Sequence, residues 1–205
     1  MSFVICCATS EYGIIASDGR MVDAGTEEVI RDDYPKVVRV NDRLVIGFAG
    51  DADIAESAIE YARKRNCGSK AQLETITNSL RSFLQYASES GIDLCNTCFY
   101  VLGINKDGMI AFSTTSSING IKTSFSVPEE NGGPLIAFFG CSLRQETAAQ
   151  VRAVLQCSPD ALGLRRAIHI VAETHPTVGK QVYIQSIRTD RPAHPHKERS
   201  DISCP

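Results

Sequence analysis

No apolar run in this chain approaches the roughly 20 residues that a membrane span needs, so no spanning helix is expected. The basic segment and long apolar stretch of a signal peptide are missing from the N-terminus. Both absences point to the cytoplasm. Excess positive charge is missing too: the net charge is −3, which gives no electrostatic case for nucleic acid or an anionic membrane. Cysteine is plentiful but badly spaced for metal. Cys95-Asn96-Thr97-Cys98 is a lone CxxC with no second pair or matching histidine pair, whereas zinc takes about four ligands. No metal and no cofactor are expected. An apolar strand, not a helix N-terminus, follows that CxxC, so the usual means of activating a thiol is absent. Cys6 and Cys7 adjoin in an apolar run and face opposite sides of a strand, as small core residues. The four histidines suggest no Ser-His-Asp arrangement at local spacing. No internal repeat and no linker divides the chain. Residues 1–187 therefore read as one domain and 188–205, rich in proline, histidine and charge, as a polar tail.

What is present begins with SFVICCATSEYGIIASDGR, Ser2 to Arg20. Two apolar runs flank a polar break at Thr9-Ser10-Glu11, the pattern of a hairpin of buried strands. A polar stretch, Asp23 to Asp33, follows. Tyr34 to Val40 reads as a strand starting at a proline, and Arg43 to Ala49 as another after the Asn41-Asp42 turn. Apolar residues at 54, 55, 58, 59 and 62 then give helical spacing over Asp51 to Arg65, with Asp51 or Asp53 as cap. Cys67-Gly68-Ser69 is a break. Lys70 to Glu89 is a second helix, ended by Gly91.

Strands return at Cys98 to Ile104 and Met109 to Thr114, joined through Asp107-Gly108, a hairpin signal. Ile118 to Val127 is a further strand candidate. Asn131 to Pro134 is a loop, and Pro134 to Phe139 is apolar. Leu143 to Gln156 and Asp160 to Thr174 are helices, the second introduced by Ser158-Pro159 with proline at a first-turn position. Gln181 to Ile187 is the last strand. Strands in consecutive runs exclude a simple alternating parallel sheet. Two sheets and two helix pairs to cover them give an α+β fold, a four-layer α-β-β-α sandwich.

Ser2, the run Gly13-Ile14-Ile15-Ala16-Ser17-Asp18-Gly19-Arg20, Lys36 before a strand, and Gly47-Phe48-Ala49-Gly50 before a helix occur in that order. In these features the chain resembles the N-terminal-nucleophile (Ntn) hydrolases, nearest to proteasome β-subunits and the HslV peptidase subunit. Agreement in element order extends to about Ile187; the motifs concentrate in residues 2–65. The resemblance implies roles. Ser2 stands where the family has its N-terminal threonine, so its hydroxyl would attack a peptide carbonyl. The α-amine freed by removal of Met1, with an ordinary pKa of about 7.7–8.0, would take the proton. Lys36 matches the lysine that lowers the pKa of nucleophile and amine. Asp18 matches the acid that holds that lysine. Gly50 matches the glycine whose N–H binds the oxyanion, helped by the positive end of the following helix. Met21, Phe48 and Ala52 would line the pocket for the residue before the cleaved bond, with a modest apolar preference. Peptides or unfolded proteins would be substrates, copies of the chain would form a homo-oligomeric ring, and an ATPase is a possible partner.

The chain also departs from the family. Serine replaces threonine and lacks the methyl that restrains the rotamer. The interval from Asp18 to Lys36 is slightly long, which places a small loop insertion in residues 21–35. An aspartate and a serine that support the amine fall, by ungapped comparison, at His175 and Val178; Ser142 is a candidate substitute. Ordinary methionine removal is the expected maturation, because a retained Met1 blocks the amine. Cys6 as the nucleophile would break the spacing to Asp18. These departures leave two alternatives beside the peptidase: a catalytically inactive ring subunit with a structural or binding role, and an Ntn amidase acting on a small amide.

Overall fold

The computed structural model describes residues 2–23, 25–66, 72–130 and 132–189. Met1, the break at Cys67-Gly68-Ser69, the first residues of the helix expected from Lys70, Asn131 and the tail from residue 190 lie outside them.

Strands β1 (Phe3–Ala8) and β2 (Tyr12–Asp18) form the expected hairpin, flanked by β10 (Leu135–Gly140) and β11 (Val182–Arg188) in the antiparallel order β10-β1-β2-β11. The last strand thus runs one residue beyond the expected boundary at Ile187. A second antiparallel sheet contains β5 (Val37–Asn41), β6 (Leu44–Ala49), β7 (Cys98–Ile104), β8 (Ile110–Ser116) and β9 (Lys122–Ser126) in chain order.

The two-residue period of a strand builds the layers. On β1, Phe3, Ile5 and Cys7 face a core shared with α3 (Gln145–Cys157) and α4 (Ala161–Thr174), while Val4, Cys6 and Ala8 face the other sheet. On β6, Leu44, Ile46 and Phe48 pack against α1 (Ala52–Arg65) and α2 (Leu73–Glu89), while Val45 and Ala49 point inward. The result is helices, sheet, sheet, helices. Gly47 lets the two sheets close: a Cβ there would lie 2.6 Å from Ile15 Cδ1 and 2.9 Å from Val4 Cγ1.

Three local readings need correction. The polar stretch after Arg20 is not all loop; it contains a small hairpin, β3 (Met21–Val22) with β4 (Val29–Arg31). The strand expected from Tyr34 begins at Val37, since Pro35 offers no N–H to a ladder. Pro159 is not in the first turn of α4. Asp160 caps that helix, its Oδ1 accepting the Gly163 N–H at 2.9 Å. Asp51 caps α1 in the same way, accepting from Ile54 N at 3.0 Å.

Candidate active site

The end of β2 and the start of β5 meet under the N-terminal strand. Asp18 is fully buried and accepts hydrogen bonds on both oxygens. Phe3 N donates at 2.8 Å, Arg20 N at 2.8 Å and Gly179 N at 3.1 Å. The Lys36 ammonium completes the set, 3.0 and 3.1 Å from the two oxygens. Lys36 Nζ also donates to the Arg20 carbonyl. Its own backbone is pinned: Lys36 N donates to Ser17 Oγ at 3.3 Å, and Phe48 N donates to Lys36 O at 3.0 Å. Burial lowers the Lys36 pKa from its ordinary 10.5, and the charge and hydrogen bonds of Asp18 oppose that shift without cancelling it.

Ser2 precedes the first residue of β1 and is 7% exposed. Its side chain makes no hydrogen bond among the described residues and lines a cleft of about 490 Å³. Six of the seven residues singled out in the sequence line this cleft: Ser2, Lys36, Gly50, Met21, Phe48 and Ala52. The seventh, Asp18, lies behind Lys36. Gly50 sits between β6 and the cap of α1 with φ +110, so the first turn of α1 opens beside Ser2 and Lys36.

The sequence reading missed several neighbours. Arg20 grips Asp32 with two hydrogen bonds, 2.6 and 3.0 Å, and donates to the Pro176 carbonyl at 2.6 Å. It thereby ties the hairpin insertion to the loop that supplies Gly179 N. Tyr34 lines the cleft and donates its hydroxyl to Glu56. Thr97 Oγ1 supports the turn at Gly50 by accepting from Asp51 N at 3.3 Å. Ser142 is exposed and does not line the cleft. His175 ends α4, Val178 packs in the core under α3 and α4, and Thr177 Oγ1 is buried without a hydrogen-bond partner among the described residues. Cys6 is buried in the inter-sheet core, with its thiol pKa raised well above the ordinary value by desolvation. It does not reach the cleft.

The arrangement of layers is that of the proteasome-like Ntn-hydrolase fold. Among solved structures, the chain is similar to eukaryotic HslV from Trypanosoma brucei, at a TM-score of 0.66, with 91% of this chain and 99% of that one covered. Identity is 18%, so the likeness is one of fold. No family model and no curated protein sequence matches the chain.

Proposed function

We propose that the protein is a proteasome-like N-terminal-nucleophile peptidase that cleaves peptide bonds through Ser2 once Met1 has been removed. One observation carries the proposal: Ser2, nearly buried and without a side-chain hydrogen bond among the described residues, shares a cleft with a lysine that a buried carboxylate holds. In this reading Ser2 Oγ attacks the carbonyl carbon and its proton passes to the freed α-amine. The Gly50 N–H takes the oxyanion. Collapse breaks the C–N bond, the α-amine returns the proton to the leaving nitrogen, and an ester remains on Ser2. Water then attacks the ester and releases the acid. The Lys36 ammonium stabilises the developing negative charge.

Peptides or unfolded proteins are the proposed substrates, and a cytoplasmic ring of copies of this chain the proposed assembly. Phe125 on the edge strand β9 and the following Val127 support the ring, being 49% and 43% exposed. The resemblance adds an ATPase as the partner that would deliver unfolded protein.

Intact mass after treatment with a β-lactone or epoxyketone probe tests the reading, in wild type and Ser2→Ala. The expected result is a single adduct that disappears in Ser2→Ala. No adduct on protein shown to have lost Met1 would overturn the peptidase in favour of an inactive ring subunit. An adduct with turnover of simple amides but of no peptide would assign the same chemistry to a small amide.

A further inference from the structure

The charge lining the cleft is unbalanced in one direction. Its two cations are already neutralised by carboxylates that do not line it. The Arg20 guanidinium lies on Asp32 and the Lys36 ammonium on Asp18. Its carboxylates are not neutralised. Asp23 and Glu27 come from the β3–β4 hairpin, and Asp51 and Asp53 from the start of α1. Asp23 accepts only neutral donors, the N–H groups of Gly25 and Thr26 at 2.9 and 2.8 Å and the Thr26 hydroxyl at 3.1 Å. Asp51 is spent on capping Ile54 N. The side-chain carboxylates of Glu27 and Asp53 have no hydrogen bond or ion pair among the described residues; Glu27 bonds only through its backbone N–H, to Asp23 O at 3.0 Å. Between these acidic groups the walls are apolar, from Met21, Ile30 and Phe48. Ser2, 7% exposed as a residue and without a side-chain hydrogen bond among the described residues, lines the same cleft, so the acidic wall and the candidate nucleophile share one space.

The geometry points to a cleft that selects peptides with lysine or arginine before the cleaved bond. This inference deepens the peptidase reading and rests on it for the word "cleaved". Lysine and arginine carry an apolar stem and a cationic head, and this cleft offers apolar walls with free carboxylates. A purely apolar side chain would leave Asp53 and Glu27 without a counter-charge. An acidic one would meet like charge from Asp23, Glu27 and Asp53, all three exposed to the cleft and solvent. The acidic wall is also a product of this chain's own hairpin, which supplies Asp23 and Glu27 on one side while α1 supplies Asp53 on the other. The cleft therefore differs from the modest apolar pocket that Met21, Phe48 and Ala52 alone would make.

The test uses labelled peptides that differ only at that position, with arginine, norleucine or glutamate. Binding to Ser2→Ala is read by fluorescence polarisation, and hydrolysis by the wild type is followed in parallel. The arginine peptide is expected to bind roughly tenfold tighter than the norleucine peptide, and the glutamate peptide weakest. Raising the salt should narrow the gap, and the double variant Glu27→Gln/Asp53→Asn should remove it. Equal binding of all three peptides, or a preference untouched by the double variant, overturns the inference. Arginine-selective binding without turnover by a protein lacking Met1 would keep the cleft assignment and refute Ser2 as nucleophile. Turnover without arginine preference would do the reverse.

Discussion

Methionine in place of Lys36 is expected to reduce peptide hydrolysis by about 10³-fold in kcat/KM, the scale of losing both charge stabilisation and nucleophile activation. The side chain keeps most of its length and its apolar stem but loses the ammonium that shares the cleft with Ser2. Stability should fall as well. Asp18 would stay buried with its three backbone donors, Phe3 N, Arg20 N and Gly179 N, but without a counter-charge. Removing one member of a buried pair costs about 3–5 kcal/mol, and the three donors together with the Lys36 desolvation that methionine relieves place the loss below that range. Urea denaturation gives the number. The double variant Asp18→Asn/Lys36→Met should be more stable than Lys36→Met alone, because no uncompensated charge remains. Hydrolysis by Lys36→Met within tenfold of wild type would remove Lys36 from the mechanism and leave it a structural ion pair.

The same lysine sets a pH dependence. Burial lowers its folded pKa below 10.5. An unfolded lysine titrates near 10.4. Between the folded and unfolded values the unfolded chain holds a proton that the folded chain has shed. Stability therefore rises with pH through that window, and below it Lys36 contributes a constant penalty. Activity has the opposite slope there, since deprotonation removes the cation beside Ser2. The alkaline limb of kcat/KM should thus begin below the pH at which an ordinary lysine titrates. The stability rise, followed by urea midpoints at stepped pH, should be absent from Lys36→Met.

The sandwich could be read from the sequence because its strands are long and buried. Six of six residues of β1 and of β6 are buried, and such runs announce themselves without tertiary context. The β3–β4 hairpin could not. Met21 and Val22 pair across a bulge with a three-residue strand, Val29–Arg31, that is wholly exposed. A pairing so short and so solvated leaves no period, yet it brings Glu27 and Ile30 to the cleft. Asp18, Lys36 and Gly50 were legible only as spaced motifs, through resemblance. Their meeting depends on the pairing of β5 with β6, where Val37 lies opposite Gly47. Arg20 was named only as the last residue of the run from Gly13, with no role of its own. Its partners Asp32 and Pro176 are 12 and 156 residues away, and no local pattern reports a contact of that range. The absent hydroxyl at Val178 was visible in the sequence, and the structure gives its physical counterpart: that side chain fills the helix-side core.

Alanine at Gly50 should do to the chain's backbone what methionine at Lys36 does to its charge. Gly50 has φ +110, outside the range that side-chain-bearing residues tolerate. An added Cβ would stand 2.6 Å from Thr97 Cα and 3.0 Å from Asn96 O. Those are backbone atoms, so no rotamer change relieves them. The abutting turn has little freedom to retreat, since Cys95 and Asn96 themselves take positive φ, 44 and 54. Thr97 Oγ1 also binds Leu94 O at 2.6 Å and receives Asp51 N at 3.3 Å. Displacing Thr97 would therefore disturb the cap of α1 along with the Gly50 N–H. We expect a stability loss of about 1–3 kcal/mol, the cost of holding such a conformation with a side chain. Turnover per folded molecule should fall by about 10²-fold, the usual loss when an oxyanion donor is misplaced. The fall should appear in kcat more than in KM, because the donor acts on charge that forms only in the transition state. Full kcat in a destabilised Gly50→Ala protein would separate the two effects. The glycine would then serve the turn alone, and the oxyanion would need another donor.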